Sequence, residues 1–345
     1  MTIRLGFIGA GFIAQVAHIP AFCRSGYFSC AAIADPRSDV RDAVARSYGI
    51  ESQFDSHSDL LRSGTVDAVV VTLPRRLTAR VVEDCLTHET WVFAEKPLLL
   101  NSASAPKILA KVGNKGVCVG LMKRCDPGVL QAKALVRGYA ATLGQLQSVS
   151  AICHAGDSYF GIGGDIKSAQ GRSVVSKEED MPSSIARNLH QSYEQFLNVY
   201  SHTLNLSEFL SGLHVVLETS VHAPTGAGHF IGHLGAAPYV LTVSRGKDHP
   251  WTESVALRFE RAIITVRLPA AFDKKGSATV ELCATPDLPL GPRAPSAGPW
   301  AFEAQPSRFR SLIDGELSPI EDVLSAWRYA ENSERLFASQ PAAQP

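Results

Sequence analysis

Near its N-terminus the chain reads Ile3-Arg4-Leu5-Gly6-Phe7-Ile8, an apolar β-rich run, and passes at once into Gly9-Ala10-Gly11-Phe12-Ile13-Ala14 and a helical pattern. The element Gly9-x-Gly11-x-x-Ala14 narrows the fold most. A strand, a tight glycine turn and a helix in immediate succession open a βαβ unit. Each residue has a physical task. Gly9 permits the turn, Gly11 lets the backbone approach a pyrophosphate, Ala14 allows close helix packing, and the helix start at Phe12 and Ile13 offers N–H groups to the anion. Asp35 ends the second apolar run about 20 residues further on, where a carboxylate accepts hydrogen bonds from an adenosine ribose. That carboxylate repels a 2′-phosphate and favours NAD, while Arg37, two residues on, counters the repulsion and leaves NADP possible.

Five apolar runs, Leu5 to Ile8, Cys30 to Ala34, Ala68 to Leu73, Trp91 to Ala94 and Val117 to Leu121, alternate with helical stretches such as Pro36 to Tyr48 and Thr78 to Leu86. The alternation predicts a doubly wound parallel sheet over residues 1–123. Beyond about residue 144 the texture changes to Gln147–Cys153, Val215–Val221, Tyr239–Ser244, Ser254–Phe259, Ile263–Leu268 and Thr279–Cys283. Successive strands with few helices predict a mainly antiparallel second sheet in a domain over 124–339, interrupted by one helix, about Ile185 to Leu210, and closed by a helix from Ile320 to Phe337. Residues 155–183 read as a long loop, the proline-rich 286–299 as a surface connection, and 340–345 as a flexible tail.

At 345 residues the chain exceeds one usual core, which fits two domains. Its 33 basic and 33 acidic residues balance without long blocks of either sign, so neither nucleic acid nor an anionic membrane surface is an expected partner. Seven scattered cysteines without a C-x-x-C pair, and no leader or long apolar segment, are expected of a reduced, cytoplasmic protein. No metal is expected. His229 and His233 lie in a glycine-rich stretch unsuited to a helix, and in a strand they stand about 13 Å apart, too far for one ion. Ser201 and the cysteines lack the pattern of an activated nucleophile.

Glu95-Lys96-Pro97 follows the run Trp91 to Ala94 and delivers a cation at the end of a buried strand. With the glycine turn, His18 and Pro20 behind it, Val66-Asp67-Ala68-Val69-Val70-Val71-Thr72-Leu73-Pro74, and the segment around His202, this motif resembles the glucose–fructose oxidoreductase, inositol dehydrogenase and MocA family from residue 3 to about 339. The resemblance implies a Rossmann domain followed by a C-terminal α/β domain whose open-faced sheet forms oligomer contacts, here a homodimer or homotetramer. It implies NAD(P)-dependent hydride transfer at a secondary alcohol of a sugar, amino-sugar or cyclitol. It also places Lys96 near the reacting hydroxyl and nicotinamide, Glu95 and Pro97 against the cofactor, and Thr72, Leu73 and Pro74 along the dinucleotide. Phe302–Gly315 and Ala326–Ser339 are similar to the family's closing strand and helix.

Asn198, His202 and Asn205 share a helix face at i, i+4 and i+7. The family's pattern has aspartates where Asn198 and Asn205 stand. An amide positions a hydroxyl but carries no proton away, so proton handling falls to Lys96 and His202. Lys123 and Arg124, after the last Rossmann strand, and Asp157 and Asp165, in the long loop, are further candidates for substrate contact. An NADP-linked reductase of a nucleotide-linked sugar and a regulator that binds cofactor without catalysis are the alternatives.

Overall fold

The expected alternation builds β1 (Ile3–Ile8), α1 (Ile19–Arg24), β2 (Phe28–Ala34), α2 (Ser38–Tyr48), β3 (Ser52–Phe54), α3 (His57–Arg62), β4 (Ala68–Val71), α4 (Arg75–Thr87), β5 (Trp91–Ala94), α5 (Ala105–Lys111) and β6 (Val117–Val119). The strands are ordered β3-β2-β1-β4-β5-β6 and every pair is parallel, the doubly wound Rossmann arrangement. The computed structural model describes residues 2–156, 166, 181–222, 227–246, 249–288 and 298–339. Expectations for the long loop, for Asp157 and Asp165, for most of 286–299 and for the tail from 340 lie outside the described residues.

Two units can be distinguished. One draws on Met1–Gly120, Gly163–Glu194 and Phe302–Glu334, the other on Leu121–Ile162, Gln195–Ala301 and Arg335–Pro345. The core of the first is aromatic. Phe22 lies edge-on to Phe93 and Phe309, with centroids 5.2 and 6.1 Å away, and Phe309 stacks on Phe28 at 5.7 Å. Such pairs add about 0.5–1.5 kcal/mol each beyond the area they bury.

In the second unit α6 (Pro127–Gly138) and α7 (Ala140–Leu143) precede β7 (Leu146–Ala155). Then come α8 (His190–Val199), which enters this unit at Gln195, α9 (Ser201–Ser211) and the strands β8 (Val215–His222), β9 (Gly228–Leu234), β10 (Ala237–Arg245), β11 (Thr252–Phe259), β12 (Ala262–Leu268) and β13 (Thr279–Ala284). The order β13-β12-β11-β7-β10-β9-β8 is antiparallel except for the parallel pair β7–β10. Alternate residues such as Phe230, Leu241, Val255 and Ile264 are buried, and Val221 and Ile231 are exposed on the opposite face. The fold class read from the sequence is the one found.

Three expectations change. The single helix over 185–210 is two helices, divided at Tyr200, whose carbonyl accepts from both Thr203 and Leu204 N–H. Phe302–Gly315 is not a closing strand. It lies in α10 (Ala301–Ile313), which accommodates Pro306, and with most of α11 (Glu321–Ala338) it belongs to the first unit. The reason is a buried anchor: Asp322 accepts from Val119 N–H at 2.8 Å on the edge strand and from both Arg308 Nη atoms at 2.7 and 2.8 Å. The expectation of wholly reduced cysteines is also corrected, because Cys23 and Cys30 form a disulfide with Cα atoms 5.9 Å apart. The short link from the end of α1 to β2 brings together residues whose spacing matches no familiar motif.

Asp322→Ala removes the carboxylate that accepts from Arg308 and from the Val119 N–H. We expect a loss of about 3 kcal/mol in urea denaturation. A loss under about 1 kcal/mol would show that the α10–α11 pair is held by apolar packing alone.

Candidate functional site

The carboxyl ends of the parallel strands present the candidate groups of the first unit. Gly9 has φ of +96°, and a Cβ there would stand 2.4 Å from the Thr72 carbonyl oxygen, so the turn requires glycine. Thr72 Oγ1 donates to Gly9 O at 2.9 Å, which makes Thr72 a buried brace of the turn. Leu73 packs beside Gly9, and Pro74 is exposed at the start of α4. A Cβ on Gly11 would meet nothing within 4 Å. That opening, at the start of a helical run through Phe12 and Ile13, fits a pyrophosphate.

Asp35 is buried and its carboxylate is fully engaged. Oδ2 accepts from Ala10 N–H at 2.8 Å and Arg37 Nη2 at 2.7 Å; Oδ1 accepts from Arg37 Nε at 2.8 Å and Arg37 N–H at 3.0 Å. Burial works to raise the Asp35 pKa, but the bonds from Arg37 and Ala10 outweigh it and hold the carboxyl below its ordinary value. The same pair raises the Arg37 pKa. Asp35 and Arg37 therefore form a neutralised pair at the end of β2, with the Arg37 side chain 31% exposed.

Glu95, Lys96 and Pro97 follow β5. Glu95 Oε2 accepts from Lys96 N–H at 3.0 Å, and Oε1 lies 2.6 Å from His18 Nε2. Lys96 is partly exposed, and the Lys96–Pro97 peptide is cis.

In the second unit the structure separates the polar candidates. Asn198 and His202 are partly exposed, on α8 and α9. Asn205 is buried, and its Oδ1 accepts from Arg124 Nε at 2.5 Å. Arg124 also lies over the Phe209 ring, 5.5 Å from its centroid. Lys123 is corrected as a substrate contact: it is 4% exposed, ion-paired with Glu253, and 5.4 Å above the Trp251 ring. The second Glu253 oxygen accepts from Thr203 Oγ1 at 2.7 Å. Burial, then the Glu253 charge, push the neighbouring Cys153 thiol up to about 12, which leaves it inert at neutral pH. Sequence reasoning missed Glu253 and Thr203. A glutamate at the edge of the alternating run that was read from Ser254 was the available signal.

His229 and His233 have separate partners, Thr242 Oγ1 at 3.1 Å and Gly235 O at 2.9 Å. Among the described residues no group of three or more metal-type side chains converges, and no helix is long and apolar enough to cross a membrane.

The lowered Asp35 pKa has a pH consequence. An acid depressed below its unfolded value of about 3.9 contributes stability above that pH and loses it as pH falls through the folded value. The melting-temperature gap between wild type and Asp35→Asn should therefore be open near pH 6 and close towards about pH 3. A gap that is constant over that range would mean that the pair adds no charge-dependent stability.

Comparison with known proteins agrees with this geometry. The GFO_IDH_MocA model, described as an oxidoreductase family with an NAD-binding Rossmann fold, matches residues 3–122. Inositol 2-dehydrogenase from Salmonella typhimurium is 27% identical over 141 residues, 39% of this chain and 42% of that protein. The scyllo-inositol 2-dehydrogenase (NAD(+)) of Bacillus subtilis is 30% identical over 103 residues, 29% of this chain and 30% of its own length. The matches to these curated relatives thus span less than half of their length. A 3-ketoreductase from Actinomadura kijaniata, solved with NADP, has the same fold with a TM-score of 0.72 at 18% identity, covering 97% of each chain. The matched model, the order of the parallel sheet and the glycine turn closed by Asp35 agree: residues 3–122 match the GFO_IDH_MocA oxidoreductase model and form an NAD-binding Rossmann fold.

Proposed function

We propose that the chain is an NAD(P)-dependent dehydrogenase or reductase that interconverts a secondary alcohol and a ketone on a sugar, amino-sugar or cyclitol derivative. One observation carries this reading. A single parallel sheet holds both a glycine turn closed by Asp35 and, at the end of β5, the partly exposed Lys96. The nicotinamide, when bound, accepts or supplies the hydride. The chain's own part is binding and proton handling. The N–H groups at Gly11, Phe12 and Ile13 would hold the pyrophosphate, and Asp35 with Arg37 the adenosine ribose. Lys96 is the proposed proton partner of the substrate oxygen. His202 is the second acid–base residue, and Asn198, an amide, orients a hydroxyl.

A narrower version has its own support. Arg37 covers both oxygens of Asp35, which removes the charge that would repel a 2′-phosphate and leaves a guanidinium partly exposed at that end. This favours use of NADP as well as NAD, as an NADP-linked reductase of a nucleotide-linked sugar requires. A homodimer or homotetramer through the second sheet is proposed on the exposed Val221 and Ile231 of β8 and β9; light scattering that gives a monomer would remove it.

Purified protein screened with either cofactor against sugars, cyclitols and their phosphates should show substrate-dependent change in reduced-nicotinamide absorbance. Lys96→Ala should lower that rate by about 10²–10⁴-fold. Undiminished turnover in Lys96→Ala would sink the assignment of Lys96. Arg37→Ala should weaken NADP binding by about tenfold while leaving NAD within about twofold, read by fluorescence titration. Equal losses for both cofactors would show that Arg37 does not discriminate between them.

A further inference from the structure

Lys96 sits in a turn whose position is set by a carboxylate, and that carboxylate is held by a residue far away in the chain. Glu95 is nearly buried and divides its two oxygens: Oε2 takes the Lys96 N–H, and Oε1 lies 2.6 Å from His18 Nε2. His18 is wholly buried. Its ring packs against Phe93, Phe302 and Phe22, with centroids 5.3, 5.6 and 6.4 Å away. Nδ1 is buried and has no hydrogen-bond partner. With no acceptor at Nδ1 and a carboxylate at Nε2, the geometry places the imidazole hydrogen on Nε2, where it donates to Glu95.

The local chain path explains how His18 reaches this position. It ends a π-helical turn, Ala14–His18, in which Ile19 N–H bonds back to Ala14 O, and the ordinary helix then starts at Ile19 with Pro20, which has no N–H, in its first turn. A π-turn changes the helix phase by a residue and is a recurrent feature of functional sites. Here it leaves His18 in contact with the end of β5. A buried imidazole costs free energy unless its polar atoms are hydrogen-bonded. An apolar side chain of equal size would fill the space without stranding Nδ1.

We infer that His18 is a positioning residue: by donating to Glu95 it fixes the carboxylate that fixes the Lys96 backbone, and so sets where the Lys96 ammonium stands. This rests on the proposed role of Lys96, but its test does not require turnover. The readout is the rate at which acetic anhydride modifies Lys96 in cofactor-free protein, measured lysine by lysine by mass spectrometry. His18→Leu keeps the volume and removes the donor; His18→Gln keeps a donor.

The expected result is a change in the Lys96 rate of at least about threefold in His18→Leu, with Lys107, Lys111 and Lys115 unchanged, and a return towards the wild-type rate in His18→Gln. Where turnover is measurable, the rate should follow the same order, with dinucleotide affinity within about twofold of wild type. A wild-type Lys96 rate in His18→Leu, accompanied only by a lower melting temperature, overturns the inference and leaves His18 as packing. If His18→Leu does not fold, Glu95→Gln decides: it retains the shape but offers His18 one acceptor atom, and an unchanged Lys96 rate there overturns the inference equally. A protein that shows no dehydrogenase activity but shifts its Lys96 rate as expected refutes the proposed reaction and leaves the positioning role standing.

Discussion

A buried carboxylate at the end of β2 is the contact on which the first unit's binding surface depends. The glycine turn is held by its first two N–H groups, Gly9 donating to Ala34 O and Ala10 to Asp35, while Thr72 donates to the Gly9 carbonyl from the other side. The turn is thus clamped between the ends of β2 and β4, the two neighbours of β1. An ionised carboxylate in such a place is costly unless it is compensated. Arg37 provides the compensation and makes the pair neutral. On the proposed reading of this pair as the ribose contact, a structural requirement and cofactor choice are linked through one side chain.

Much of the first unit was legible because its signals are local. A strand, a glycine turn, a helix and an acid at the right distance each follow from short-range rules, and the buried parallel strands read as apolar runs. What escaped was set by partners distant in sequence. β3 has three residues, too few to show a period. β9 carries glycines at 228 and 232, and a glycine-rich run signals a turn until its register with β8 and β10 is known. Phe302–Gly315 was read as a strand by resemblance, and only the Asp322–Arg308 anchor, which draws α10 and α11 onto β6, explains its helical packing. The Cys23–Cys30 bridge was equally invisible, since its spacing depends on the path between α1 and β2.

Among the site candidates the division is similar. The positions of Lys96, Gly11 and Asp35 in the fold were legible because each follows closely on a strand; the roles proposed for them rest on the resemblance. Lys123 and Arg124 were drawn as substrate contacts because cations after the last Rossmann strand stand near the expected site. Lys123 is instead buried on Glu253, while Arg124 stays partly exposed and bonds to Asn205. Burial sets the first apart, and a single sequence does not display burial for a residue at the start of a connection.

Those two contacts bear on His202 through its neighbours. Thr203, next in the chain, gives its hydroxyl to Glu253, and Asn205, three residues on, is gripped by Arg124. Turning α9 about its axis would strip Glu253 of a donor and leave its charge under-compensated in the core, an unfavourable outcome in a low dielectric. A buried ion pair of this kind adds little net stability over well-packed apolar side chains. What it fixes is orientation. On the proposed reading of His202 as an acid–base residue, a helix locked on its C-terminal side is a physical means by which that imidazole is presented in one direction.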